Sequence, residues 1–295
     1  MTLVETALRK PPPRPAAGTA FGSPRDFLGN RFVYAVVSPR ARGLSIGINL
    51  NPDQECNFDC AYCEVDRHLR PQETKVDLEA MAAELQRMLA MVKSGELAQL
   101  PPFNGMPTDL LRLRQVNLSG DGEPTLCPQI VEVIHTVLHV RARSGLPFFK
   151  IALITNATGL DRPAVAEGLR CLTGRDEVWA KLDAGTQAWM ERINRPTVLL
   201  AKVLANILAV ARQRPVVIQS LFPALNGQEP PELEIREYAQ RLKELKDAGA
   251  NIPLVQIYSA TRPTPHSECG HLPLRSLARI AQMVRDTTGL RAEVF

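Results

Sequence analysis

The sequence predicts an α/β fold in which six parallel strands and their helices form an open, six-stranded (β/α)6 partial TIM barrel. Six short segments rich in β-branched and apolar residues alternate with six amphipathic helical segments between residues 44 and 288. Such alternation predicts parallel pairing through right-handed crossovers. Six units are too few for a closed eight-stranded barrel, so we expect an open one. The 295 residues are 45% apolar, which is enough for a sizeable core.

The start of the chain differs in composition from the rest. Residues 1–24 are rich in proline and basic side chains, and we expect them to form a disordered leader. A single domain should follow over residues 25–295, with its core at about 44–260 and a C-terminal helix and strand within 261–295. Residues 1–43 carry seven basic and two acidic side chains. A basic excess is typical of arms that bind nucleic acid, but composition alone does not establish one, and we expect a solvated, disordered tail.

Strand signals occur in order along the domain. An apolar and aromatic run precedes the barrel, and a short strand closes the chain. The predicted strands are residues 32–37, 44–50, 113–119, 148–155, 177–183, 216–222, 252–259 and 292–295. Polar and apolar side chains alternate in several of them, so that Asn117 and Ser119 oppose Val116 and Leu118. Because helices should cover the apolar face, the polar face predicts a polar lumen that serves as a substrate cavity.

The helices are predicted from apolar residues that recur at spacings of three and four. They are residues 77–92, 128–144, 162–172, 198–212, 231–249 and 272–288. Asp77 is placed to cap the first helix, Gly95 to end it, and Gly289 to end the last. No apolar run reaches the ~18 residues that a membrane span needs. With no secretion signal and with clustered free cysteines, we expect a cytoplasmic protein.

Three of the six cysteines, Cys56, Cys60 and Cys63, fall within eight residues after the first barrel strand. Three thiols cannot all pair as disulfides, and clustered thiolates suit a soft metal centre. A four-iron cluster normally takes four thiolates, so three would leave one iron open. The alternative is a zinc site completed by His68, which would make the chain a non-enzymatic binding module. No second pair of ligands follows, so the spacing favours the cluster.

Polar motifs follow the next three barrel strands, at the end of the sheet where α/β folds bind ligands. Gly122-Glu123-Pro124 follows the second strand, Asn156 the third, and Asp183 the fourth. Asn156 could contact a ribose or a carboxylate, or only form a turn. Asp183 could contact a ribose or substrate, or only pair with Lys181 inside the barrel. Further candidates in the lumen or at its mouth are Gln219, Gln256, Tyr258 and Arg195, the last as a ligand of an anionic group.

The Cys-x3-Cys-x2-Cys spacing with Tyr62 before the last cysteine, followed one βα unit later by Gly122-Glu123-Pro124, resembles the radical S-adenosylmethionine (SAM) superfamily. The resemblance spans about residues 44–260. It implies the same partial barrel and a [4Fe-4S] cluster on Cys56, Cys60 and Cys63, with SAM on the open iron. It also implies cleavage of SAM to a 5′-deoxyadenosyl radical that abstracts hydrogen from a substrate.

The same resemblance implies where SAM contacts the chain. Tyr62 would lie beside the adenine, although it could equally be a buried packing ring. Gly122 and Glu123 would receive the amino group of SAM, and Asn156 and Asp183 remain candidates for its other polar groups. The implied redox partner is an electron donor of the flavodoxin or ferredoxin type. The other cysteines, Cys127, Cys171 and Cys269, are expected to be ordinary thiols rather than ligands of a second cluster.

Four runs look like a narrower group, that of the wyosine-base (tRNA imidazoguanosine) synthase. They are residues 120–125, 181–184, 193–196 and 255–258. That synthase carries cysteines for a second cluster and an imine-forming lysine ahead of its SAM motif. This chain has no cysteine before Cys56 and no lysine between Lys10 and Lys75. The substrate therefore stays open among a small molecule, a protein, as in glycyl-radical-enzyme activases or peptide modifiers, and a tRNA guanine.

Overall fold

The computed structural model describes residues 20–21, 27–67, 73–262 and 264–295. Nearly all of the predicted leader, and His68 of the zinc alternative, lie outside these residues. The strands are β1 Val33–Ser38, β2 Gly43–Asn49, β3 Leu113–Ser119, β4 Lys150–Thr155, β5 Glu177–Lys181, β6 Val216–Leu221, β7 Ala224–Leu225, β8 Val255–Tyr258, β9 Cys269–Gly270 and β10 Ala292–Val294. The α-helices are α1 Leu78–Ser94, α2 Ile130–Arg143, α3 Pro163–Cys171, α4 Gln187–Ile193, α5 Leu200–Ala211, α6 Glu232–Asp247 and α7 Leu274–Thr288.

The main sheet has the strand order β1-β2-β3-β4-β5-β6-β8-β10. Strands β2, β3, β4, β5, β6 and β8 pair in parallel, each with the next, and they are the six predicted barrel strands. Strand β1 adds to one edge in antiparallel pairing, and β10 adds to the other in parallel pairing. A separate two-stranded sheet joins β7 to β9. The predicted open α/β partial barrel is confirmed, with one additional strand at each edge.

Strand β4 begins two residues later than predicted, because Phe148 is not part of the sheet. Its ring is 45% exposed and lies under the guanidinium of Arg175, 3.7 Å from the ring centroid. Stacking of this kind satisfies an aromatic ring at the surface without burial. An apolar side chain in a strand-like run therefore serves a surface contact here.

Helix α1 shows how the sequence sets its own ends. The side chain of Asp77 accepts a hydrogen bond from the amide of Ala80, and Gly95 ends the helix with a left-handed φ of 80°. Within the helix, the buried carboxylate of Glu84 accepts hydrogen bonds from the amides of Phe32 and Val33 at 2.9 and 3.0 Å. β1 is an edge strand of the main sheet, so these amides face no neighbouring strand. The carboxylate of Glu84 satisfies them instead and holds the start of β1 against the first barrel helix.

The turn between β1 and β2 spans the open side of the barrel. Arg42 pairs with Glu293 of β10 at 2.6 Å, and the guanidinium of Arg40 lies 4.2 Å from the ring centroid of Tyr258 in β8. Between them, Ala41 packs in a small apolar cluster that includes Trp179. Basic residues that composition placed in a solvated tail thus belong to the fold, and for Arg40 and Arg42 that expectation is wrong.

Within the described part of the chain, no helix has both the length and the apolar character needed to cross a membrane.

Candidate functional site

The three clustered cysteines lie in the loop that leaves the carboxyl end of β2. Their side chains line a cavity of about 190 Å³ at the mouth of the barrel. The ends of β3, β4 and β5 line the same cavity through Gly122, Glu123, Asn156 and Lys181, together with Tyr62. The structure therefore brings together most of the residues that the sequence nominated, from loops up to 125 positions apart.

The cysteine loop is held from both sides by backbone hydrogen bonds. On one side, the amide of Glu123 donates to the carbonyl of Glu55 at 2.8 Å. On the other, the amides of Asp59 and Ala61 donate to the carbonyls of Asn194 and Ile193 at 3.0 and 2.8 Å. A loop without regular structure is thus fixed between two elements of the barrel rim, as a preorganised ligand site requires.

Two of the thiols receive hydrogen bonds from the chain. The amide of Phe58 donates to Cys56 Sγ at 3.4 Å, and the side-chain amide of Asn194 donates to Cys60 Sγ, also at 3.4 Å. Burial raises the pKa of Cys56, and it raises the pKa of Cys60 to about 12. Bare thiolates are therefore disfavoured here, and a bound cation would be needed to stabilise them.

Gly122 is required by the cysteine loop itself. A Cβ atom at this position would lie 1.9 Å from the carbonyl oxygen of Glu55. The group that Gly122 approaches closely is therefore the backbone of the chain itself. Here the glycine lets the turn after β3 pack directly on the residue before Cys56.

The Glu123 carboxylate is buried and occupied by protein donors. One oxygen accepts from the amide of Thr125 at 3.0 Å and from the hydroxyls of Thr125 and Thr155 at 2.6 and 2.5 Å. The other accepts from the amide of Asn156 at 2.7 Å. Burial raises the pKa of Glu123, against the opposing effect of these hydrogen bonds. This carboxylate joins the end of β3 to the end of β4.

Asn156 connects the end of β4 to the cysteine loop. Its side-chain NH₂ donates to Asn57 Oδ1 at 2.8 Å, and its own oxygen accepts from the amide and hydroxyl of Thr158 at 3.0 and 2.7 Å. The turn role that the sequence allowed for is therefore present. Asn156 also lines the 190 Å³ cavity. Its position is therefore compatible with a contact to a ligand as well as with its role in the turn.

Asp183 lies beneath Tyr62 and does not line that cavity. Its carboxylate accepts hydrogen bonds from the Tyr62 hydroxyl, from Asn194 Nδ2 at 3.0 Å and from the amide of Leu221 at 2.8 Å. Lys181 Nζ lies 3.5 Å from it, so the predicted internal ion pair is present. Burial alone would lower the pKa of Lys181, but Asp183, Tyr258 and Cys60 together outweigh burial and raise it. Lys181 therefore remains a cation at the cavity wall.

The remaining candidates divide between the lumen and the surface. Gln219 donates to Gln256 at 3.1 Å, and both are buried in the lumen. Arg195 pairs with Glu268 at 2.5 Å and with Asp59 at 3.4 Å, so its charge is already compensated.

The other cysteines are free. Cys127 is buried, Cys171 Sγ contacts His135 Nε2 at 3.2 Å, and Cys269 lies in β9. None of the three lines the cavity of the clustered cysteines.

Two residues of the site were not given a role from the sequence. Asn194 donates from one nitrogen to Cys60, Asp183 and the Tyr62 hydroxyl. The only signal for it was its place in the run 193–196. Arg67 also lines the cavity, and its Nε is buried with no hydrogen-bond partner among the described residues. Its positive charge beside the cysteines could not be located without the path of the loop.

The donor set can be compared with the cofactors that the motif implies. In the described residues, no three histidine, cysteine, aspartate or glutamate side chains converge as one metal ion would require. A four-iron cluster places each thiolate on a different iron, so its ligands surround a volume. Three thiols around a cavity fit that arrangement, and the buried, unpartnered Arg67 Nε fits a carboxylate such as that of SAM.

No model of a known protein family matches the chain. Among curated proteins, it is similar to the UPF0026 protein of Helicobacter pylori, with 24% identity over 271 residues that cover 85% of this chain and 79% of the relative. It is also similar to GTP 3',8-cyclase 2 of Mycobacterium tuberculosis, with 30% identity over 178 residues. That match covers 59% of this chain and 41% of the cyclase.

Among solved structures, the chain is similar to SuiB of Streptococcus suis bound to S-adenosylmethionine, with a TM-score of 0.57 and 16% identity. The match covers 87% of this chain and 52% of SuiB. It is also similar to TYW1 with a lysine-pyruvate adduct bound, with a TM-score of 0.53 and 16% identity over 87% of this chain and 84% of TYW1. These neighbours are radical SAM enzymes, and the resemblance seen in the sequence is confirmed as a shared partial-barrel fold.

Proposed function

We propose that this chain is a radical SAM enzyme that holds a [4Fe-4S] cluster on Cys56, Cys60 and Cys63. The observation that carries the proposal is the single cavity at the carboxyl ends of the strands, which the three thiols share with Tyr62 and the turn after β3. In its place on the fold it corresponds to the ligand site of α/β barrels. When bound, the reduced cluster would supply the electron that cleaves SAM and yields a 5′-deoxyadenosyl radical for hydrogen abstraction.

The residues of this chain would bind and orient the cofactors. Asn194 and the amide of Phe58 would donate to the cluster sulfurs, as they do to the thiols. Arg67 would hold the carboxylate of SAM, and Tyr62 would pack beside the adenine with its hydroxyl fixed by Asp183. Glu123 and Asn156 would keep the strand ends in place. Glu123 Oε2, which accepts one hydrogen bond, would also receive the amino group of SAM, and the second N–H of Asn156 Nδ2 would donate to its ribose.

None of the similarities to known proteins identifies the substrate of this chain. TYW1 and SuiB share only the fold with it, and SuiB has also been solved bound to precursor peptide SuiA. We propose a cytoplasmic enzyme, because free clustered cysteines suit a reducing compartment. An external donor of the flavodoxin or ferredoxin type would deliver the electron.

The test uses anaerobically reconstituted protein. We expect about four irons and four sulfides per chain, as a [4Fe-4S] cluster requires, and release of 5′-deoxyadenosine from SAM with dithionite, even without substrate. Cys56→Ala, Cys60→Ala and Cys63→Ala should each abolish this release. Cys127→Ala, which removes a thiol outside the cavity, should not. A colourless protein with one zinc and no iron would refute the proposal and support the zinc-binding module.

A further inference from the structure

A second and larger cavity adjoins the cysteine site inside the barrel. Its volume is about 550 Å³, which is within the range of small-molecule sites. Ser119 and Ile154 line both cavities, so a molecule in the larger one would lie next to whatever fills the smaller one. The larger cavity is also lined by three aromatic side chains near the lumen, those of Tyr34, Trp179 and Tyr258.

Arg40 lines this cavity and has no ion-pair partner among the residues that the structure describes. Its guanidinium carbon lies over the ring of Tyr258, 4.2 Å from the ring centroid. Its Nε is buried without a hydrogen-bond partner, and the side chain forms no ion pair with any residue that the structure describes. The Arg40 side chain is only partly buried, but a buried charged donor without an acceptor is costly unless a ligand supplies one.

The other charged side chain on the wall is already satisfied. Arg262 pairs with Glu64 at 2.5 Å, and in the described parts of the chain no aspartate or glutamate side chain lines the cavity. Asn117 adds an uncharged donor, because its oxygen accepts from Gln115 and its NH₂ group has no partner among the described residues. The wall therefore offers one planar cation and one amide donor between aromatic rings.

From this geometry we propose that the 550 Å³ cavity binds a small organic anion, with its carboxylate or phosphate on Arg40 and its body against Trp179 and Tyr258. A planar guanidinium recognises both oxyanions through two parallel hydrogen bonds. The inference rests on the proposed function only in taking this anion to be the substrate. An RNA is disfavoured as the ligand, because RNA binding relies on several basic contacts to successive phosphates and this cavity has one uncompensated cation.

The test measures binding to the full chain, both as isolated and after reconstitution. The probes are benzoate, phenyl phosphate and inorganic phosphate, with benzamide as the neutral counterpart of benzoate, titrated by calorimetry at fixed ionic strength. We expect benzoate and phenyl phosphate to bind saturably and at least ten times more tightly than benzamide. Trp179 lies on the wall, so a Trp189→Phe protein, which keeps Trp179 as its only tryptophan, should report the same binding by fluorescence.

Two substitutions locate the anion. Arg40→Gln should weaken the binding of both aryl anions at least tenfold and leave benzamide unchanged, while Arg40→Lys should give an intermediate loss. Arg262→Gln is the matched control, since that arginine is already paired, and its effect should stay within threefold. If Arg40→Gln does not fold, as circular dichroism would show, the comparison of benzoate with benzamide and the lysine variant still decide.

Several outcomes would overturn the inference. These are equal affinity for benzoate and benzamide, no saturable binding of any anion, an unchanged affinity in Arg40→Gln, or an equal loss in Arg262→Gln. Binding of tRNA that requires Arg40, without binding of the small anions, would also overturn it. A protein that releases 5′-deoxyadenosine but binds no anion defeats this inference alone, and one that binds anions through Arg40 but never forms a cluster defeats only the proposed function.

Discussion

The carbonyl oxygen of Glu55 accepts a hydrogen bond from the backbone amide of Glu123 at 2.8 Å. The first residue precedes the cysteine loop and the second belongs to the turn after β3. This contact brings two sequence motifs, separated by one complete βα unit, onto one cavity wall. It is possible only because Gly122, the residue before Glu123, has no side chain.

Gly122→Ala should separate these two loops. The new Cβ would lie 1.9 Å from the Glu55 carbonyl oxygen, which is backbone and cannot rotate away. We expect a loss of about 1–3 kcal/mol in the free energy of unfolding, as for other overpacked sites, together with reduced iron content after reconstitution. Gly174→Ala is the control, because a Cβ at Gly174 meets nothing within 4 Å. Equal iron content and stability in the two variants would contradict this account of Gly122.

Glu123→Gln tests whether this carboxylate acts by joining strands β3 and β4. A glutamine offers one acceptor oxygen, so its NH₂ group would face either the amide of Asn156 or the donors of Thr125 and Thr155. Leaving buried donors unsatisfied should cost about 1.5–3 kcal/mol in urea unfolding. The variant Glu237→Gln disturbs a half-buried pair with Arg241, which Glu244 also neutralises, and should stay within about 0.5 kcal/mol of wild type. An unchanged free energy of unfolding in Glu123→Gln would mean that the four hydrogen bonds contribute little to stability.

Asn194→Ala should change the electronic properties of the proposed cluster. Its Nδ2 donates to Cys60 Sγ at 3.4 Å, and a donor to a ligating sulfur stabilises the reduced state. Losing the donor should make the reduction potential of the cluster more negative, as measured by a redox titration followed by electron paramagnetic resonance. Asn104→Ala is the control, because this exposed asparagine does not line the cavity of the cysteines. An equal potential in Asn194→Ala and in wild type, or an equal shift in Asn104→Ala, would contradict this role of Asn194.

The sequence was informative where one local rule decides the structure. Alternation of strands and helices predicted the six parallel strands, since crossover geometry leaves few other arrangements. Asp77 and Gly95 marked the ends of α1, because capping acts over four residues. The clustered cysteines and the turn at Gly122 were also visible, since each motif is contiguous and follows a strand.

What the sequence could not supply depends on contacts between distant segments. Asn194 reaches Cys60 across 134 positions, and its role follows only from the way α4 meets the cysteine loop. Composition assigned Arg40 to a tail, yet it stacks on Tyr258, because the β1–β2 turn spans the open side of the barrel. The sequence suggested Arg195 as a ligand of an anionic group, but in the structure it already pairs with Asp59 and Glu268. Charge compensation is a property of three-dimensional neighbours and leaves no local pattern.

Asp176→Asn should be among the most damaging substitutions away from the site. The Asp176 carboxylate accepts two hydrogen bonds from Arg141, at 2.6 and 3.1 Å, and others from Ile151 and Thr173. Burial opposes the charged form, but these donors outweigh it and lower the pKa of Asp176. Its contribution to stability is therefore present above the unfolded pKa of about 3.9 and is lost as the pH falls through the lower folded value.

We expect the Asp176→Asn variant to lose about 3–5 kcal/mol in urea unfolding at pH 7, since Arg141 is left without its partner. The difference from wild type should shrink in acid. Asp247→Asn, at an exposed pair with Lys243, should differ by less than about 0.5 kcal/mol at either pH. A difference for Asp176→Asn that grows in acid would reverse the sign assigned to this group.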